Sequence, residues 1–130
     1  MDGWVWVNRA ALELLHEESL AEHGGAPGVR DPGLLESALM RPQNALAYGN
    51  PDLCDLAATY AVGLARNHPF VDGNKRAAFL AAGLFLLLNG HRLVVTQTQA
   101  TQVMFALAAG EIDEAGFSAW LRSNVVPRSR

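Results

Sequence analysis

Apolar residues in this chain recur mostly three and four positions apart, the spacing of one helical face, and nowhere alternate with polar residues over a useful length. Leu12, His16 and Leu20 share such a face in a segment that Asn8 can cap and that the glycines after His23 can stop. This predicts a first helix ending at about His23, with His16 turned toward the core as a buried, hydrogen-bonded histidine. Asp31 followed by Pro32 is a cap with proline at the first helical position, and predicts a second helix to about Arg41 before the loop "RPQNALAYGNP". A third helix, from Asp52 to Asn67, places Leu53, Leu56, Ala57, Tyr60 and Leu64 on one stripe, with the fourth and first helices as expected partners.

The segment from Asn74 to about Leu88 is apolar nearly all round after Arg76, the pattern of a helix surrounded by others, and is expected at the centre of the fold. Asn89-Gly90 ends it, and "RLVV" at 92–95 reads as a short strand. Thr98 or Thr101 can cap a fifth helix through Ala109, and Asp113 a sixth ending near Asn124. The expected fold class is therefore all-α: a compact bundle of six helices around a central buried one. Residues 1–130 are expected to form a single domain, with 126–130 a frayed tail because "PRSR" has no core-forming residue.

Composition narrows the function classes. Half the residues are hydrophobic and 18% are charged, which excludes a disordered or fibrous chain. A net charge of -3 without a visible basic cluster gives no general attraction to nucleic acid or anionic lipid, so no direct nucleic-acid partner is expected. Cys54 is the single cysteine, which removes intrachain disulfides and multi-cysteine metal sites and fits a reducing compartment. It reads as a small buried hydrophobe. The N-terminus lacks a basic signal-like region, and the longest apolar run, Ala77 to Leu88, would extend only about 18 Å, short of a membrane span. Cytoplasmic residence without a membrane partner is the expectation. Trp4 and Trp6 can be partner hot spots, but a strip beside the first helix is expected to seal the core edge.

The chemistry concentrates in "NHPFVDGNKRAA", residues 67–78. Lys75 and Arg76 stand where a helix takes its first turn, at the end whose unpaired N–H groups already carry partial positive charge. His68, held between two helices by Pro69, can accept a proton from a hydroxyl at neutral pH. Phe70 is an apolar anchor for the loop. Asp72 beside phosphate groups suits a Mg²⁺ ion, although Asp-Gly is also a common turn pair. Gly73 permits close backbone approach, and Asn74 can cap the helix or brace the loop, so the next N–H groups along the chain form an anion cradle to which Lys75 and Arg76 add charge. The bland alternative has the two cations solvated, or paired with Asp72 or Asp52, and His68 as an ordinary loop residue. Taken together, a base, a carboxylate, a glycine, an amide and two cations within nine residues suit phosphoryl chemistry. The standard P-loop and protein-kinase motifs are absent, and the histidines lack metal-binding spacing.

"HPFVDGNKR" at 68–76 resembles the signature loop of the Fic/Doc proteins, and Lys75 points to the Doc branch. Similarity extends to "GGAPGVRDPGLLESALMRPQ" at 24–43, to "ATYAVGLARNH" before the loop and to "GLFLLLNG" after it. The resemblance implies the small six-helix fold of that family and a toxin of a toxin–antitoxin pair that uses ATP and Mg²⁺ to modify a protein hydroxyl. Carried over by position, His68 is the base, Asp72 the carboxylate linked to metal and phosphates, and Gly73 and Asn74 the anion-binding turn. Lys75 and Arg76 are the phosphate-binding cations, with Arg76 stabilising charge in the transition state.

The lysine at 75, where AMP-transferring members often have glycine, implies that the γ-phosphate faces the hydroxyl. The expected activity is therefore that of a protein kinase, and the resemblance implies that its target is a threonine of translation elongation factor Tu, whose modification arrests translation. AMP transfer onto a hydroxyl is the first alternative, and a non-catalytic corepressor that binds antitoxin is the second. None of the seven glutamates is followed by Gly or Asn, as the family's self-inhibitory helix requires, so control is expected from an antitoxin in trans, as a segment that folds into an apolar groove.

Overall fold

A computed structural model describes residues 3–128. Its helices are α1 (Arg9–His23), α2 (Pro32–Tyr48), α3 (Leu53–Asn67), α4 (Asn74–Leu88), α5 (Gln97–Ala108) and α6 (Glu114–Asn124), with two short strands, β1 (His91–Leu93) and β2 (Val125–Pro127). The fold is all-α, with six helices. Three of the expected caps form, Asn8, Asp31 and Asp113, and Asp52, expected as the first residue of the third helix, caps it instead; each accepts from a backbone N–H two or three residues further on.

The most enclosed helix is α3, not α4. Every residue from Leu56 to Ala65 is buried, and α3 packs against α4, α2 and α6, while α1 lies on α4. Small residues explain this: a Cβ added at Gly63 would lie 2.9 Å from Arg41 Cδ and 3.2 Å from Ala38 Cβ, so α2 approaches the backbone of α3 closely. Helix α4 buries Ala77, Ala78, Ala81, Ala82, Phe85 and Leu86, but leaves Phe79, Leu80, Gly83 and Leu84 half-buried along an open face.

Several boundaries differ from the sequence expectation. Helix α2 does not stop at Arg41 but continues through Pro42 to Tyr48. Pro42 removes one intrahelical donor, yet its ring is buried and Arg41 beside it reaches Glu114 at 2.7 Å; tertiary packing outweighs the local break. Helix α5 begins earlier than Thr98 or Thr101 allows, because Thr96 and Gln99 form a reciprocal capping box, at 3.1 and 2.8 Å.

The strand expected at 92–95 is His91–Leu93, and it pairs antiparallel with Val125–Pro127. Val126 and Pro127, expected in the frayed tail, are thus held by the ladder, and Arg128 N donates to Gly90 O at 2.9 Å. The last two residues of that tail, 129–130, lie outside the described residues. Trp4 and Trp6 pack on Phe85, with ring centroids 5.9 and 5.8 Å away, and Cys54 is buried, both as expected. Among the described residues no helix is long and apolar enough to cross a membrane.

Candidate active site

The loop between α3 and α4 is built by the helix ends that flank it. Helix α3 ends on His68 in the left-handed conformation, at φ 48° and ψ 55°, the only non-glycine residue with positive φ among the described residues. That geometry is unfavourable for a residue with a Cβ. Arg30 offsets it from the neighbouring connection: Nε donates to His68 O at 2.7 Å and a terminal nitrogen to Asn67 O at 2.9 Å. The positive guanidinium therefore satisfies carbonyls at the negative end of α3. The His68 ring stays exposed.

The loop then folds back on the Gly/Pro-rich connection before α2. Val29 and Phe70 form an isolated antiparallel bridge, Val71 N donates to Gly28 O, and Arg30 N and Asp31 N both donate to Pro69 O. Phe70 is buried, as expected of the anchor, and stacks on the His16 ring with centroids 3.9 Å apart. Asn74 braces the loop rather than capping α4: its Oδ1 accepts from Phe70 N at 2.9 Å and its Nδ2 donates to Phe70 O at 3.0 Å.

The cap of α4 is Gly73, at φ 74°, and among the described residues no side chain caps the first turn. A Cβ at this position would meet His16 Nε2 at 3.3 Å and Leu20 at 3.4 Å, so the backbone passes close beneath α1. Asp72 accepts from Gly73 N through Oδ1 at 2.8 Å and from Ala26 N through Oδ2 at 3.2 Å. These two donors, Ala26 first, hold the exposed carboxyl below the usual carboxylate range, with help from the Arg76 charge. Neither Lys75 nor Arg76 forms a salt bridge among the described residues. Asp52, their alternative partner, is taken by Arg122 at 2.9 Å.

All the expected residues, His68, Asp72, Gly73, Asn74, Lys75 and Arg76, line one open cleft of about 790 Å³. Its other walls were not singled out from sequence: α1 supplies Leu15, Glu18, Ser19 and Glu22, α4 adds Phe79 and Leu80, and α5 supplies Met104 and Phe105. Lys75 Nζ lies 5.0 Å from the centroid of the Phe105 ring, within cation–π range. Arg30 was also missed, although a lone cation within "GGAPGVRDPG" was a usable signal.

An uncapped helix start flanked by two cations suits a polyphosphate chemically. Among the described residues no group of three or more His, Cys, Asp or Glu could hold a metal. A divalent ion at Asp72 would thus rest on one carboxylate together with a ligand's phosphates, a donor set that fits Mg²⁺.

The chain matches the model of the Fic/DOC family over residues 6–86, from the strip before α1 through most of α4. It is 38% identical over 117 residues to a protein of Escherichia phage P1 named protein kinase doc, covering 89% of this chain and 92% of that one. It is 53% identical over 73 residues to a protein of Mycolicibacterium smegmatis named toxin Doc, covering 54% of this chain and 55% of that one. Among solved structures it resembles the BepC protein, a VirB-translocated effector of Bartonella tribocorum crystallised with bound AMPPNP. That likeness has a TM-score of 0.50 at 16% identity and covers 82% of this chain and 55% of the other, so it speaks to fold.

Proposed function

The chain belongs to the Fic/DOC family, and from that premise we propose that it is a toxin acting as an ATP-dependent protein kinase on a hydroxyl group. The observation that carries this reading is the start of α4: an uncapped helix terminus, flanked by Lys75 and Arg76, in the same cleft as the exposed His68. The names of the two relatives, a protein kinase and a toxin, and the AMPPNP bound to the BepC protein lend it support.

In the proposed reaction His68 takes the proton of the attacking hydroxyl, the new O–P bond forms at the γ-phosphorus, and ADP leaves with the electrons of the broken bond. Gly73 and Asn74 present the first N–H groups of α4 to the phosphates. Lys75 and Arg76 neutralise them, with Arg76 stabilising the charge that develops in the transition state. Asp72 would hold Mg²⁺, which supplies further charge neutralisation when bound. Residues 1–130 act as one cytoplasmic domain, and a cognate antitoxin in trans restrains them. The protein modified is translation elongation factor Tu, at a threonine, which stops translation.

Incubation of the chain and elongation factor Tu with ATP labelled separately at the α and γ positions tests this. Transfer of γ label, lost with His68→Ala and Arg76→Ala, is expected. Label arriving only from the α position would replace the reading with AMP transfer, and growth arrest that survives His68→Ala, Lys75→Ala and Arg76→Ala would favour the non-catalytic antitoxin-binding corepressor.

A further inference from the structure

We infer that His16 is a positioning residue for the anion site at the start of α4: its ring N–H locks the Asp72–Gly73 peptide with the carbonyl oxygen turned into the protein. His16 is 3% exposed, so it touches no ligand itself. Its Nε2 lies 2.7 Å from Asp72 O, and because a carbonyl oxygen only accepts, Nε2 is the nitrogen that carries the proton. The stack on Phe70 fixes the plane of the ring, and Asn74 fixes Phe70 in turn.

The peptide needs such a lock because its C-terminal member is a glycine. Gly73 sits at φ 74°, and glycine adopts positive and negative φ with similar ease, so the preceding peptide can rotate and exchange the places of its C=O and N–H. In the observed orientation the oxygen faces α1. Rotated, it would face the cleft and set a partial negative charge against any anion at the N–H groups of α4. The other tie on this peptide, from Gly73 N–H to Asp72 Oδ1, uses the exposed carboxylate assigned to the metal, whereas the His16 tie comes from a buried side chain of a separate helix. The role of His16 in ligand binding rests on the phosphate-binding reading of the cleft; the orientation of the peptide does not.

Two substitutions separate the donor from the ring. His16→Phe keeps an aromatic ring for Phe70 and removes the donor, while His16→Gln keeps an N–H at comparable reach. High-resolution crystal structures should show the Asp72–Gly73 peptide rotated, or split between two orientations, in His16→Phe and native in His16→Gln. By calorimetry, affinity for inorganic tripolyphosphate should fall about tenfold or more in His16→Phe and return to within about threefold of wild type in His16→Gln, as loss and restoration of a directed dipole require. An unchanged peptide in His16→Phe, or a His16→Gln protein as impaired as His16→Phe, would overturn the inference. If His16→Phe does not fold, His16→Met, which also lacks a donor, takes its place in the same comparison. Wild-type protein that ignores tripolyphosphate would instead sink the phosphate-binding reading, while the peptide orientation still decides the role of His16.

Discussion

Lys75 reaches across the cleft to Phe105, its Nζ 5.0 Å from the ring centroid, so a cation of the first turn of α4 is held by an aromatic residue of α5. Phe105 is 60% exposed, and it is a poor contributor to the core; its position over the cleft is better explained by what it holds. At an exposed site such a contact contributes about 0.5–1 kcal/mol. Phe105→Leu keeps apolar bulk but removes the ring face, and should raise the KM for ATP about two- to fivefold with little change in Tm. Lys75→Ala should raise it further. An unchanged KM in Phe105→Leu would mean that the ring does not hold the lysine for its ligand.

His68 is expected to show a trade-off between stability and activity. At φ 48° any residue with a Cβ is strained, by about 1–2 kcal/mol, whereas glycine is not. His68→Ala and His68→Gly should both lose activity by about 10²-fold or more, the usual contribution of a general base. In urea denaturation His68→Gly should nevertheless be more stable than His68→Ala by about 1 kcal/mol, after the greater freedom of glycine in the unfolded chain is counted. Equal stabilities would remove the idea that the backbone strain at His68 is maintained for function.

Asp72 should make stability depend on pH in acid. Its folded-state pKa lies below that of the unfolded chain, through the N–H groups of Ala26 and Gly73. Its contribution is therefore complete above the unfolded value, about 3.9, and is lost as pH falls through the lower folded value. The stability lead of wild type over Asp72→Asn should be largest at neutral pH and shrink on acidification through that window. Asp55 is also lowered, since its hydrogen bonds and the Arg122 charge outweigh the upward push of burial, but it is common to both proteins and cancels in the comparison. A lead that grows in acid would contradict the sign.

Asn74 makes two bonds to the backbone of Phe70, both part-buried. Asn74→Ala leaves an N–H and a carbonyl without these partners and should destabilise by about 1–3 kcal/mol in chemical denaturation. If Asn74 served instead as a direct ligand of phosphate, activity would collapse while stability held. The brace predicts that the two fall together.

Much of the site was legible because it is contiguous. A histidine, a carboxylate, a glycine and two cations within nine residues must share a loop whatever the rest of the chain does, and Asn8, Asp31, Asp52 and Asp113 cap helices through N–H groups two or three residues away. Pro42 shows where local chemistry misleads. Proline signals a helix end, but the continuation of α2 is decided by a buried ring and by a partner, Glu114, far along the chain.

The helical class, most helix starts and the residues of the loop follow from local chemistry, since each depends on groups close together along the chain. Tertiary structure decided which helices face that loop. The bond from His16 to Asp72 spans 56 residues, and the two residues of the Lys75–Phe105 contact lie on different helices. The choice of α3 as the enclosed helix depends on how closely small residues let neighbours approach, which hydrophobic periodicity does not report because alanine and glycine add little to it. Packing thus places the loop beneath α1 and beside α5 and turns a set of suitable side chains into one cleft.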